Sequence, residues 1–487
     1  MKFNNSIIAV ALLQFPLSNF CLAHSTAEVE SVLEEMFDAR TPPNLLLEWQ
    51  GLTLDESGSG SCKGIFDVVV EDIEGRNLVA PCSNGRWKLY NTLQVPISKV
   101  SQITNAASIA VKDFSYSKRA PSDHLISVKP KDLARIIPTL KPGDHVIVSA
   151  GELIDADVQF PANIGTAEGP PIVIDAGINV LISGNTRFNV SGENITFTNF
   201  NFADVRDQAI TVTGSGFSLT HSHFDKCGDP SKPKSQCIML TGNASNADIS
   251  FNEFVGSQSM TIKVRENSGG NRQPLNTQIQ FNVFRDIEKL SKNGQEPIQI
   301  AGENGGPSGV DFATHIEHNI FYKTNGDRET ISLKGTGIIT RWNVFYDMDA
   351  APNFRGTGGN VFSGNVMMRT RPLRIAGHQN RVEGNFIACP LQPFAILVSH
   401  GSKGYPAATN SKISDNILVA RSAMSFAGQE QPVTQLATGN AIENNSFFTE
   451  PNNAAILGAP QNQARDGANT EKIIDPALCK RKFKNVN

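Results

Sequence analysis

A short pattern of apolar residues, then asparagine and another apolar residue, recurs through the second half of the chain and most constrains its fold. It appears first at residues 249–254 and returns seven times. Successive asparagines are 30, 37, 24, 22, 20, 31 and 29 residues apart. They are Asn252, Asn282, Asn319, Asn343, Asn365, Asn385, Asn416 and Asn445. One short strand pattern in each unit of 20–37 residues predicts a solenoid.

This repeat predicts an all-β, right-handed parallel β-helix in which each unit forms one coil. The apolar residues of successive coils would stack inward, and the asparagines would form a ladder at one corner. Stacked amides satisfy buried backbone groups, so these asparagines are interpreted as structural. A β-sandwich or propeller is the alternative, but hairpin signals such as Asn-Gly between alternating strands are scarce here.

Three regions follow one another along the 487 residues. Residues 1–23 are typical of a signal peptide, with a basic start, a short apolar core and small residues before a cut after Ala23. Residues 24–122 are interpreted as a small N-terminal domain of unknown role, and residues 123–487 as the β-helix. The apolar core is too short to span a bilayer, so a soluble protein without a membrane partner is expected, either secreted or periplasmic.

Cysteine usage is consistent with export. Six cysteines remain after residue 23, and an even number favours disulfides in an exported chain. Pairing of nearest neighbours predicts the bonds Cys62–Cys82, Cys227–Cys237 and Cys389–Cys479, although the sequence leaves the connectivity open.

The net charge of −4 gives no global field for binding nucleic acid, so an anionic partner needs a local basic site. The candidate site contains two basic residues, Lys334 and Arg355. They follow two carboxylates, Asp327 and Glu329, along the chain. Two carboxylates on one side of a strand are costly unless a cation joins them. A lysine beside them can have a lowered pKa and act as a base. The alternative is a solvated strand edge with ordinary charges.

Strand alternation makes a geometric prediction for this cluster. Ile331 and Leu333 should point inward and their neighbours, including Thr330, outward. The two carboxylates then need a corner of the coil next to Thr330. Arg355 lies about one coil later and is expected to stack beside Lys334, because adjacent coils are about 4.8 Å apart.

The two carboxylates also suggest a metal site. Asp327 and Glu329 supply hard oxygen ligands, which suit Ca²⁺. An amide or carboxylate from the preceding coil would complete the site, and Asn293 and Glu296 are candidates. Ion-paired surface carboxylates are the alternative interpretation.

Several segments, in a fixed order, surround these charged residues. They are 140–144 (Leu-Lys-Pro-Gly-Asp), 165–171 (Gly-Thr-Ala-Glu-Gly-Pro-Pro), 293–296 (Asn-Gly-Gln-Glu), 326–334, 354–356 (Phe-Arg-Gly) and 382–385 (Val-Glu-Gly-Asn). In combination, residues 124–450 resemble polysaccharide lyase family 6, the parallel β-helix lyases that include alginate lyases and chondroitinase B. The chain departs from the family's pattern at Asp327, where Glu is usual, at Leu333, where Asn is common, and at Gly356 and Thr357, where the family has His-Gly.

The resemblance implies β-elimination of a uronic-acid polysaccharide. Alginate is the first candidate substrate, because most of the family acts on it. It implies Ca²⁺ held by Asn293, Asp327 and Glu329, which neutralises the substrate carboxylate and makes the neighbouring C5 proton more acidic. Lys334 would remove that proton as the base, with a pKa lowered by Arg355 and by the cation. Arg355 would assist protonation of the departing oxygen, or stabilise its charge.

Two more residues are candidates for binding the anionic polysaccharide. The resemblance implies that Arg374 binds a substrate carboxylate through its fork of donors, with His378 as a further candidate. A chondroitin or dermatan sulfate lyase, a catalytically silent β-helix that binds glycans, and a glycoside hydrolase with paired acids are the alternatives. The preferred uronate, internal or terminal cutting and the oligomeric state stay open.

Overall fold

The computed structural model describes most of the chain from residue 124 onward. The described residues are 25–27, 29, 30, 33, 124–176, 180–232, 234–267, 272–302, 309–402, 405–428, 432–460 and 469–480, with the backbone of five strands between 59 and 88. The predicted signal peptide lies outside the described residues. The predicted bond Cys62–Cys82 lies outside the described side chains. Within the described part of the chain, no helix is long and apolar enough to cross a membrane.

Three long sheets form the body of the molecule, and the chain visits them in turn, coil after coil. The first sheet contains Leu125–Val128, His145–Val148, Ile172–Asp175, Ile195–Thr198, Ser218–Thr220, Asp248–Ser250, Gln278–Gln280, His315–Glu317, Ile339–Arg341, Val361–Ser363, Arg381–Glu383, Lys412–Ser414 and Ala441–Glu443. The second sheet contains Gly151–Ile154, Val180–Gly184, Asn201–Val205, His223–Asp225, Glu253–Val255, Val283–Ile287, Ile320–Thr324, Val344–Tyr346, Val366–Met368, Phe386–Ala388, Ile417–Ala420, Ser446–Thr449 and Thr470–Ile473. The third sheet contains Asp157–Phe160, Arg187–Val190, Ile210–Val212, Gln236–Thr241, Met260–Arg265, Ile298–Ile300, Glu329–Leu333, Ala351–Phe354, Leu373–Ile375, Phe394–His400, Ser422–Gly428 and Ile456–Leu457. Neighbouring strands are parallel and belong to successive coils, which confirms the predicted parallel β-helix.

The remaining elements are short. The helical turns are Pro130–Asp132, Leu133–Ile136, Ile137–Thr139 and Leu478–Lys480, of which Leu133–Ile136 is α-helical and the others are 3₁₀. Ser59–Ser61, Cys82–Ser83 and Arg86–Lys88 form an antiparallel sheet, and Val68–Glu71 pairs with Asn77–Ala80. These five strands pair only among themselves within the described part of the chain.

The core consists of apolar rows that run along the axis of the β-helix. The clearest row lies on the second sheet and contains Phe202, Phe224, Phe254, Phe284, Phe321 and Phe345. Successive rings are stacked with centroids 4.3–4.9 Å apart. This spacing matches the rise between hydrogen-bonded strands, so one ring in each coil fills the core without a gap.

The asparagine ladder predicted from the sequence is present and continues to Asn469. Asn319 represents its members: its backbone N–H and its side-chain Nδ2 both donate to Oδ1 of Asn343, at 2.9 and 3.0 Å. Its Nδ2 also donates to the carbonyl of Ile279 in the preceding coil. The residues just before the ladder asparagines, such as Phe281 and Trp342, have a φ near +55°. Each amide therefore bonds the backbone of a left-handed corner that strand pairing cannot satisfy.

A second apolar cluster lies outside the β-helix, on the outer face of the second sheet. It includes Val344, Met368 and Val419, and it is covered by Val29 and Leu33 from the N-terminal helical segment. The N-terminal segment thus packs on the β-helix, while the division of the chain at residues 122 and 123 stays a prediction.

Two of the three predicted disulfides are present. Cys227 bonds Cys237, and Cys389 bonds Cys479 across 90 residues of sequence. The bond Cys389–Cys479 attaches the C-terminal segment to the outer face of the second sheet, where Leu478 is buried in the same apolar cluster.

Replacement of one ladder residue tests the structural role of the amides. Asn343→Ala removes the acceptor of the Asn319 backbone N–H and a donor to the Ile316 carbonyl in a buried corner. We expect the free energy of unfolding to fall by about 2–6 kcal/mol, measured by chemical denaturation. Asn163→Ala, at an exposed turn, is the control and should change it little. Equal effects of the two substitutions would contradict a structural ladder.

Candidate active site

A polar row crosses the outer face of the third sheet. Lys263, Gln299, Ser332, Asn353 and Arg374 are Cα partners in five successive coils. Residues on either side of them, such as Ile262 and Val264, are buried in the core. All five polar residues are at least nine-tenths buried, although they face away from the core. We call these five residues the polar row. They line a recess in the outer face of the third sheet.

A β-bulge in the strand Glu329–Leu333 turns the side chain of Glu329 into this recess. Glu329 pairs with Ala351 and Ser332 with Asn353, so three steps on one strand match two on the next. Thr330 consequently points inward, where its hydroxyl lies 3.5 Å from Met348 Sδ. Glu329 faces outward and accepts a 2.6 Å hydrogen bond from Ser332. The predicted corner next to Thr330 is thus wrong. The side chain of Thr330 does not point outward, because a bulge interrupts the alternation within the strand.

Asp327 lies where the chain enters this strand. Its Oδ2 accepts from the backbone N–H of Gly294 and its Oδ1 from that of Glu329, both at 3.1 Å. The approach to residues 293–296 needs glycine at 326, since a Cβ there would meet Gln295 Cβ at 2.8 Å. The Asn-Gly-Gln-Glu turn is thereby held against the carboxylates. Asn293 itself is exposed within this turn.

Three carboxyl groups gather at this end of the strand. Burial, followed by the charges of Asp327 and Glu329, raises the pKa of Glu296 to about 7. Glu296 is 3% exposed, and its Oε2 has no hydrogen-bond partner among the described residues. A carboxyl with a free buried oxygen and two like charges nearby is one that a cation would stabilise.

Lys334 follows the strand directly and lies beside these carboxyl groups. Its Nζ donates to Oε1 of Gln299 in the preceding coil, at 3.1 Å. Burial lowers the pKa of Lys334, and the charge of Arg355 lowers it further, whereas the neighbouring carboxylates raise it. The lowered pKa was predicted, but burial is its first cause. A buried amine with a lowered pKa can accept a proton near neutral pH.

Arg355 is aligned with Lys334, because the residues before them, Phe354 and Leu333, are Cα partners. Its Nη1 donates to Glu329 and, at 3.2 Å, to the hydroxyl of Tyr405. Burial opposes the charge of the guanidinium, but Glu329 and Tyr405 together raise the pKa of Arg355. The group is therefore a permanent cation at the recess.

Tyr405 comes from a turn 50 residues after Arg355 and was not predicted. Its ring centroid lies 4.5 Å from the guanidinium carbon of Arg355 and 4.4 Å from that of Arg374. Arg374 also donates from Nε to Ser399 at 3.2 Å. The aromatic ring thus orients both arginines by cation–π contact.

The structure brings together most of the predicted residues. Asp327, Glu329, Lys334 and Arg355 form one cluster, and Arg374 joins it through Tyr405. His378 is exposed and lies against Gly358, where an added Cβ would be 2.6 Å from its ring. Among the described residues, no hydrogen bond joins its side chain to the cluster.

Gln299 and Tyr405 were missed for different reasons. Gln299 stands between Ile298 and Ile300, so a search for single polar residues within buried strands would have found it. Tyr405 has no comparable signal in the sequence, because a long connection brings it to the recess.

Comparison with known proteins was made on sequence and on fold. The family model of chondroitinase B matches residues 128–389. No functionally curated protein matches the sequence significantly. The fold is similar to that of a mannuronic acid specific family 6 lyase from human gut microbiota, with a TM-score of 0.63, 20% identity, and coverage of 72% of this chain and 87% of that one.

Two further solved structures share the fold. A family 6 polysaccharide lyase from Pseudopedobacter saltans has a TM-score of 0.58 and 16% identity, with coverage of 74% of this chain and 96% of that one. The alginate lyase AlyGC has a TM-score of 0.60 and 20% identity over 72% of this chain, which spans about half of AlyGC, 53%. At these identities the solved structures establish the fold alone.

The buried carboxyl of Glu296 makes a prediction about stability and pH. Its pKa in the folded protein is about 7, above the ordinary 4.5. The contribution of this group to the free energy of unfolding is therefore fully present below about pH 4.5 and is lost as pH rises through about 7. Glu296→Gln mimics the protonated group and should keep that stability at pH 8 in chelator, measured by chemical denaturation. Glu168→Gln, at an exposed turn, is the control and should follow the wild type. Parallel pH profiles of wild type and Glu296→Gln would contradict the assignment.

Proposed function

Since the chain belongs to the chondroitinase B family, within polysaccharide lyase family 6, we propose that it cleaves a uronic-acid polysaccharide by β-elimination, with alginate as the first substrate. The observation that supports this most is the pair Lys334 and Arg355, a buried amine with a lowered pKa aligned with a permanent cation one coil away. Elimination needs a base and a group that stabilises the leaving oxygen, and the pair supplies both. Alginate is favoured because AlyGC and the gut enzyme are described as acting on alginate or mannuronic acid.

Lys334 is proposed as the base. Its neutral amine takes the proton from C5 of the uronate, and the electron pair of that C–H bond forms the double bond between C4 and C5. Gln299 accepts a hydrogen bond from Nζ and thereby aims the amine. Since burial already lowers its pKa, the neutral form is available at a smaller cost near neutral pH.

Arg355 is proposed to act on the departing glycosidic oxygen. As the bond from C4 to oxygen breaks, its electron pair leaves with the oxygen. Arg355 stabilises the negative charge that results and assists the transfer of a proton from solvent water to this oxygen. Glu329 and Tyr405 hold the guanidinium in place and raise its pKa, which favours the electrostatic part of this role. Arg374, oriented by Tyr405 and Ser399, is proposed to bind a carboxylate of the polymer, and exposed His378 a more distant part of it.

Calcium is proposed as the cofactor. Asn293, Asp327 and Glu329 would hold it, and Glu296 contributes the free buried oxygen described above. Hard oxygens in mutual repulsion fit Ca²⁺, although within the described residues no group of three acidic, His or Cys side chains converges at metal distance. When bound, the ion would neutralise the substrate carboxylate and acidify the C5 proton. We further propose secretion or periplasmic export through residues 1–23.

A panel of polyuronates tests the proposed reaction. Purified protein is incubated with polymannuronate, polyguluronate, chondroitin sulfate and dermatan sulfate, and the ultraviolet absorbance of unsaturated ends is followed. We expect release from alginate blocks, and Lys334→Ala and Arg355→Ala to reduce kcat by about 100-fold or more. Lys323→Ala, on the outer face of the second sheet, is the control and should keep the activity.

The product identifies the reaction class. Unsaturated ends from the sulfated polymers alone would replace alginate by a glycosaminoglycan. Reducing ends without unsaturation would favour hydrolysis. Polymer binding without either product would favour a silent glycan-binding protein.

Calcium dependence is tested by binding as well as by activity. Chelation should lower the melting temperature and the rate, and added Ca²⁺ should restore both, because the ion relieves repulsion among buried carboxylates. Asp327→Asn and Asn293→Ala should weaken calorimetric Ca²⁺ binding about tenfold or more. Activity and melting temperature that do not respond to chelator or Ca²⁺ would remove the metal from the proposal.

A further inference from the structure

The hydroxyl group of Tyr405 carries a hydrogen atom that is available to a bound molecule. Its oxygen accepts the 3.2 Å hydrogen bond from Nη1 of Arg355, because a guanidinium group can only donate. A phenol also has one hydrogen to donate, and among the described residues no group accepts it from Tyr405. The side chain is half-buried at the recess, so a polymer that lies beside Arg355 can reach this hydrogen.

The ring of Tyr405 performs its contacts without the hydroxyl group. Its centroid lies 4.5 Å from the guanidinium carbon of Arg355 and 4.4 Å from that of Arg374. A phenylalanine ring can form the same cation–π contacts. The orientation of the two arginines therefore explains an aromatic residue at this position, but not a phenol.

The backbone places Tyr405 beside the arginines. Its N–H donates to the carbonyl of Ser402 at 2.9 Å, and its carbonyl accepts from the N–H of Ser402 at 2.8 Å. Ser402 follows the strand Phe394–His400, which also supplies Ser399 as the acceptor of the hydrogen bond from Arg374. One segment of the chain thus positions both the phenol and the second arginine.

The departing glycosidic oxygen needs a proton, and a phenol releases one more readily than a guanidinium group does. Arg355 is suited to stabilising negative charge, because its guanidinium stays protonated. The positive charges of Arg355 and Arg374 flank the ring, and they stabilise the phenolate that remains after the proton has left. The surroundings of Tyr405 therefore favour donation of its proton.

We propose that the hydroxyl group of Tyr405 donates the proton to the departing glycosidic oxygen, while Arg355 binds that hydroxyl group. The inference rests on the proposed function, since it assumes β-elimination in the recess. Lys334 takes the C5 proton, the electron pair of that bond forms the double bond between C4 and C5, and the pair of the bond from C4 to oxygen leaves with the oxygen. The oxygen takes the proton of Tyr405, and the phenolate regains one from solvent water. The proton from water thus reaches the oxygen through Tyr405.

A comparison of two leaving groups tests this role. One substrate is an oligouronate of the preferred block, whose departing sugar oxygen needs a proton. The other is a matched oligouronate with a nitrophenyl group on O4 of the reacting unit, whose nitrophenolate departs without one. Values of kcat and KM are measured on both substrates from the ultraviolet absorbance of unsaturated ends and from the release of nitrophenolate.

Tyr405→Phe keeps the ring and removes the hydroxyl group. We expect kcat on the oligouronate to fall by about 100-fold or more, which is the usual contribution of a general acid. On the nitrophenyl substrate kcat should stay near the wild-type value, because no proton is needed. KM should stay near the wild-type value on both, because the ring still contacts Arg374. Lys334→Ala should lose activity on both substrates, because both need the base.

Tyr322→Phe is the matched control, since it removes the hydroxyl group of a half-buried tyrosine on the second sheet, and it should keep both rates. Melting temperatures establish that each variant is folded, and Tyr405→Leu replaces Tyr405→Phe in the same comparison if the latter does not fold. Equal losses on the two substrates would indicate a positioning role alone, and an unchanged kcat on the oligouronate would indicate direct protonation by water. Either result would overturn the proposal. A wild-type protein that forms unsaturated ends from no polyuronate would instead overturn the proposed function, so the two failures are distinguishable.

Discussion

Parallel pairing between successive coils is the constraint on which the whole molecule depends. It fixes a rise of about 4.8 Å per coil, and residues 20–37 positions apart in sequence become direct neighbours. The asparagine ladder maintains this pairing at the left-handed corners, where the backbone has no strand partner. The stacked phenylalanine rings maintain it inside.

The same pairing creates the proposed site and its electrostatics. Polar residues in five successive coils form one buried row, and the bulge in the strand Glu329–Leu333 adds Glu329 to it. Burial opposes the charge of both cations, but their hydrogen-bond partners differ. Lys334 has a neutral amide as its hydrogen-bond partner and a lowered pKa, whereas Arg355 has a carboxylate partner and a raised one. The proposed proton acceptor thus lies beside a permanent charge.

Much of this arrangement was predictable from the repeat. The spacing from Lys334 to Arg355 is about one coil, and the structure aligns the residues directly before them. The ladder asparagines were also predicted from their local pattern, and two disulfides from the pairing of cysteines that are neighbours in the sequence. The inward turn of Thr330 was not predicted, since strict alternation cannot reveal a bulge. The packing of Val29 and Leu33 on the second sheet was not predicted either, because it joins distant parts of the chain.

The sequence by itself determined the coil, its corner asparagines and the types of charge that meet on the third sheet. These depend on periodicity, and periodicity is written in the order of residues. Only the tertiary structure decided which charges are buried, which partners they have and that Tyr405 lies between Arg355 and Arg374. Burial and contact depend on connections of variable length, whose paths no repeat specifies. For that reason Lys334 could be proposed as a base from sequence, whereas its hydrogen bond to Gln299 became recognisable only from the structure.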